Sequence, residues 1–94
     1  MSTSAIETFT TKPAAVLDYV VDWSDWLATN DTLAAVTWDV PSGLTQPTPA
    51  TNTTTSATVW IGGGTAGVDY VVTCSVTTAQ GRTDARSFVL RVRG

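Results

Sequence analysis

An all-β sandwich is the fold class this sequence predicts, on three observations. Charged residues make up only 14% of the 94 residues and apolar ones 43%, which is enough for one core and too little charge for disorder. Threonine and valine occupy the space that Lys, Glu and Leu would fill in a helical protein. Branching at Cβ stiffens χ1 and suits a pleated strand. Short alternating runs then recur between Gly, Pro, Asn and Asp turn signals at intervals of roughly ten residues, the rhythm of about seven strands in two layers.

The elements follow in order. Residues 1–12, MSTSAIETFTTK, are polar with isolated apolar residues at Ile6 and Phe9. They read as an N-terminal arm that orders against a neighbour, and Pro13 opens the domain proper, residues 13–94. Leu17, Tyr19, Val21 and Trp23 alternate with Asp18, Val20 and Asp22, giving a strand whose first set faces a core. Ser24 is a candidate N-cap for one short helical or 3₁₀ turn that tucks in Trp26 and Leu27. In the next strand, Thr32 to Val40, Ala34, Val36, Trp38 and Val40 share a face until Pro41-Ser42-Gly43 stops it.

Gln46 to Thr55 reads as a loop or weak edge strand, and Ser56 to Ile61 as a strand broken by Gly62-Gly63-Gly64. Val68 to Thr78 and Ser87 to Val92 flank Ala79-Gln80-Gly81-Arg82, a hairpin connection. Phe88, Leu90 and Val92 share one face of the last strand, with Arg91 and Arg93 on the other. Ala66-Gly67-Val68-Asp69-Tyr70, followed by alternating Val72, Cys74 and Val76, matches the entry to strand F of an immunoglobulin-like sandwich. There a tyrosine hydroxyl bonds back to the chain. Trp38 is the expected core tryptophan of such a domain, worth about 4 kcal/mol by burial.

Chemistry is harder to find. Asp18 and Asp22 lie on one strand face but roughly 13 Å apart, and the chain has no histidine and no glutamate besides Glu7. Paired acids for general acid/base work need to converge across a cleft, so no catalytic residue is assigned and solvated acids are the expected role. Asp22, Asp25 and Asp31 could cluster at one end of a sandwich as a calcium site, but the usual loop spacing is missing, so no metal or cofactor is assigned. Gly62-Gly63-Gly64-Thr65 has no Lys-Ser/Thr after it and is read as a turn with positive φ, not a phosphate loop. Trp23, Trp26 and Trp60 are candidates for a sugar platform, with core packing as the alternative for most of them.

The net charge is −3, which argues against direct nucleic-acid binding. No run approaches the ~20 apolar residues of a membrane helix, and no signal peptide is apparent, so synthesis in a reducing cytosol is expected. Cys74 is the only cysteine and sits in an apolar run, where it serves as a small hydrophobe.

The order of its tryptophans, acids and glycines carries a resemblance. Lys12-Pro13, Ala15 to Tyr19, Asp22-Trp23-Ser24-Asp25-Trp26-Leu27, Asp31-Thr32-Leu33 and Thr37 to Leu44 are followed by Ala57 to Ile61, Gly63 to Gly67, Tyr70, Thr77 to Asp84 and Arg86. From Lys12 onward this succession resembles the fiber-tail adaptor family of tailed bacteriophages, short immunoglobulin-like virion proteins of the head–tail region. Cys74 stands where that family suggests a polar residue.

The resemblance implies a non-enzymatic structural protein of the virion, made in the host cytoplasm, with connector, tail or fibre subunits as partners. A symmetric multicopy ring is the expected arrangement. The interaction candidates come from the residues themselves: Ile6 and Phe9 of the arm, and Arg91 and Arg93 for an acidic partner. Two alternatives stand beside this reading, a capsid decoration or head-fibre protein and a carbohydrate-binding module.

Overall fold

Alternation of β-branched residues builds the observed architecture, a computed structural model that describes residues 7–94. Eight strands form two sheets: β1 (Glu7–Thr11), β2 (Val16–Asp22), β3 (Leu33–Asp39), β4 (Leu44–Thr45), β5 (Thr51–Asn52), β6 (Ser56–Gly63), β7 (Asp69–Thr78) and β8 (Thr83–Val92). The first sheet has the order β1-β8-β7-β3, and the second β2-β6-β4, with β5 also on β6. The expected all-β sandwich is present, and its layout is compatible with the immunoglobulin-like description. Two of the eight strands are only two residues long, so the loop-or-edge reading of Gln46 to Thr55 resolves into the short edge strand β5.

The core fills from both sheets. Tyr19, Val59, Ile61, Val72, Phe88 and Leu90 form one cluster, and Trp23, Leu33, Ala57, Cys74 and Val76 the other. Trp38 packs against both. It is only half-buried, because β3 is the outer strand of its sheet. The deepest tryptophan is Trp23, with no exposed surface, which corrects the expectation placed on Trp38.

Two further details depart from simple alternation. A β-bulge lies between Leu33 and Ala35; the extra residue leaves Ala34 exposed while Leu33 is buried, so the face expected from Ala34 begins one residue out of phase. Leu17 is 44% exposed although it shares a strand face with buried Tyr19. It lies near the open end of edge strand β2, so the covered part of that face is Tyr19 and Val21, continued by Trp23 just after the strand.

The helical turn after β2 is a single turn: the N–H groups of Trp26 and Leu27 both donate to Trp23 O, at 3.0 and 3.1 Å. Its cap is Asp22, whose Oδ1 accepts from Ser24 N–H at 2.9 Å, instead of Ser24 itself. The expected tyrosine corner forms, with Thr65 N–H donating to the Tyr70 hydroxyl at 3.0 Å. Gly64 completes that corner at φ +96°, and a Cβ there would meet Val92 Cγ2 at 2.8 Å, so both backbone and space require glycine.

From Glu7 onward, the segment expected as an arm is instead an edge strand of its own domain. β1 runs parallel to β8, with Phe9 opposite Leu90. Phe9 turns inward onto Tyr19 and Phe88, each with ring centroids 5.4 Å away. Ile6 lies outside the described residues.

Candidate interaction surfaces

The acid-and-tryptophan stretch Asp18 to Leu27 builds a laced end of the sandwich. Trp23 N–H donates to Thr55 O and Leu33 N–H to Thr54 O, while Ala79 N–H donates to Thr32 O. Three loops are thereby tied together. Arg86 reaches over from β8: its guanidinium carbon lies 4.3 Å from the Trp23 ring centroid, and its Nη1 donates to Asp22 O at 2.9 Å. Arg82 repeats the arrangement one turn on, 4.6 Å from the Trp26 ring and donating to Trp26 O at 3.2 Å. The two indoles meet edge to face at 5.2 Å. Alternating cations and aromatic faces therefore bind the β2 end to the β8 sheet.

The aspartates serve the same closure. The backbone and side-chain hydrogen bonds of Ser24, with Arg86 nearby, hold the Asp22 carboxyl below its usual range against a smaller effect of burial. For Asp31, burial pushes upward, but the Thr78 hydroxyl, the N–H groups of Gln80 and Thr32 and the Arg82 charge together bring it below the ordinary value. Its Oδ1 accepts from Thr32 N–H at 2.9 Å and from Gln80 N–H at 3.2 Å, so this buried acid joins the β2–β3 loop to the β7–β8 hairpin. The sequence reading missed that role. An Asx-type turn was its only local signal, and the Gln80 partner lies 49 positions away. Among the described residues no group of three or more His, Cys, Asp or Glu side chains could hold a metal ion. Asp22 and Asp31 cap backbone N–H groups rather than gathering with Asp25.

Arg91 and Arg93 are brought together. Arg93 Nη2 lies 3.0 Å from Asp69 Oδ1 and Arg91 Nε 3.5 Å from Asp69 Oδ2, all three half-exposed. One carboxylate thus holds two guanidinium groups, leaving one positive charge in excess at the surface. Phe9 faces the other side of the same strand pair, inward with Leu90. It lines a shallow groove of about 230 Å³ between β1 and β2, with Glu7, Val20, Asp22, Arg86 and Phe88 on its walls.

The sugar-platform candidates separate. Trp23 has no exposed surface and Trp26 is half-buried under Arg82, which removes both from a flat stacking surface. Trp60 alone stands out, 41% exposed on the outward face of β6 opposite Asp18.

A two-sheet sandwich with a tyrosine corner, with Asp22 and Asp31 engaged in holding loops, is a small all-β module compatible with the immunoglobulin-like class. A family profile described as "Podophage GP4 fiber-tail adaptor protein gp77" matches residues 12–91, and the chain belongs to that family. Membership carries a structural, tail-associated role in the phage virion. No curated protein sequence matches the chain.

Proposed function

We propose that this chain is an adaptor at the neck or tail of the virion, present in several copies in a symmetric ring and joining connector, tail or fibre subunits without catalysing a reaction. The observation that carries this reading is the family match over residues 12–91, on a sandwich where Asp22, Asp31, Trp23 and Trp26 are taken up in closing one end. Strand edges and flat sheet faces are what such a module can offer a neighbour, by strand addition or face packing. Among the residues expected at interfaces, Arg91 and Arg93 remain available at the surface. Phe9 serves the domain itself first, so its part in assembly is to keep the β1 edge in place.

Phage particles made without this chain test the reading. Heads and tails are expected to assemble, fibres to be missing, and purified chain added to the particles to restore fibre attachment and infectivity. Particles that carry a full set of fibres without the chain would end the adaptor reading. Regular occupancy of the capsid lattice would instead make it a decoration protein.

A further inference from the structure

The two outward sheet faces differ in charge, and each carries exposed apolar side chains. Strands β2, β4, β5 and β6 contain no lysine or arginine, only Asp18 and Asp22. On the outward side of this sheet Val16 and Val20 are about half exposed and flank Trp60, which lies directly opposite Asp18. An exposed tryptophan between two valines, with one acid in the middle, is the composition of an interface centre rather than of a solvated face.

The opposite face of the sandwich is the outward side of β7 and β8. Val71, 52% exposed, lies directly opposite Val89. Next to them the Thr73 and Ser87 hydroxyls bond to each other at 2.9 Å, so covering them leaves fewer unpaired polar groups than two free hydroxyls would. Short side chains on this face have little rotamer freedom to lose. Beyond Val71 and Val89 come Arg91 and Arg93 around Asp69. Lys12 joins them, because Arg93 N–H donates to the preceding residue's carbonyl, Thr11 O, at 2.8 Å. This corner is basic. The remaining charge on that face, Asp39, sits on β3, two strands from β8.

We propose that the outward β2–β6 face of one copy docks on the outward β7–β8 face of a second copy, head to tail. Trp60 and Val20 cover Val71 and Val89, and Asp18 meets the basic corner of Lys12, Arg91 and Arg93. Charge decides the orientation. Pairing like faces across a two-fold axis would set Asp18 against Asp18, or the arginines against themselves, whereas head-to-tail packing joins opposite signs. The molecule measures 44 × 26 × 17 Å, so a broad face exceeds the ~800 Å² each partner buries in a standard interface. Two different faces in contact leave the pair with one free face of each kind, one on each copy, and the contact repeats. The inference deepens the multicopy assembly proposed above and rests on it for its setting.

Sedimentation of the full chain over a concentration series tests the contact alone. The protein is expected to form larger species as concentration rises, less so at raised salt. Asp18→Lys and Arg91→Glu are each expected to weaken association at least about tenfold. An equimolar mixture of the two variants recovers it, because every contact then joins opposite charges again. Trp60→Thr keeps all charges and is expected to weaken association by a similar factor; thermal melting confirms that each variant is folded. A chain that stays monomeric up to about millimolar concentration, an Arg91→Glu variant that associates like the parent, or a mixture that does not recover overturns the proposal. A monomeric chain that still restores fibres to deficient particles would overturn this contact and leave the adaptor reading in place.

Discussion

Trp23 has no surface exposed to solvent, and yet a formal charge lies 4.3 Å from its ring centroid. Arg86 can sit there because its Nη1 meets Asp22 O and the indole face offers negative potential to the rest of the guanidinium, whose Nε is buried without a hydrogen-bond partner. Two different contributions are joined at this one place, apolar burial and a charge held over a ring, and substitution separates them. Trp23→Ala removes the largest fully buried side chain and is expected to cost about 3–5 kcal/mol, a large share of the ~5–15 kcal/mol that stabilises a typical domain. Arg86→Met keeps the aliphatic stem over the ring and loses only the charge and the hydrogen bond, for an expected cost of about 1–2 kcal/mol. Urea unfolding followed by tryptophan emission measures both. Equal losses for the two variants would mean that Arg86 is not acting through the indole.

Among the elements, β1 is the one whose role differs most from its sequence. ETFTT offers a single apolar side chain, Phe9, on a segment with no partner nearby in sequence, and its partner strand β8 begins about seventy residues on. Parallel pairing over that distance leaves no turn signal to read. Phe9→Ala is expected to lower the unfolding free energy by roughly 2 kcal/mol, since the ring caps both Tyr19 and Phe88. Unchanged stability in this variant would make β1 an ornament of the sheet, free to serve a neighbour instead. The longer strands were legible to within a few residues because alternation and turn residues are local, whereas the two-residue β4 offers too short a run to read. Which tryptophan lies deepest was not, since depth depends on what distant segments cover: Trp38 is on outer strand β3, whereas Trp23, just after edge strand β2, is covered by Trp26 and by Arg86 from β8. The same limit applies to the surfaces. Arg91 and Arg93 could be placed on one face by period two, but their shared Asp69 and the Trp60 patch appear only once strands from distant segments are paired.

For the whole molecule, the consequence of this charge placement is a stability profile with two limbs and a flat middle. There is no histidine, and a group whose pKa is the same folded and unfolded contributes nothing to the pH dependence. Asp22 and Asp31 have folded pKa values below the ordinary 3.8. Their contribution is therefore complete above about pH 5 and is lost as pH falls through the unfolded value and on through their lower folded values, where the native state must take up protons. Cys74 has the opposite sign. Burial pushes its thiol from 9.0 up to about 11, with Trp23 and Arg86 pulling weakly the other way. The native state keeps the proton that the unfolded chain releases, so stability is full below pH 9 and declines as pH rises through about 11, by something on the order of 2 kcal/mol. Unfolding free energies measured across the pH range are expected to form a plateau from about pH 5 to 8 with a decline on each side. Asp31→Asn should flatten part of the acid limb, and Cys74→Ala part of the alkaline limb, while leaving the opposite limb unchanged. Because each variant addresses one side of the plateau, a Cys74→Ala protein whose alkaline decline matches the parent would show that the buried thiol is not the group responsible.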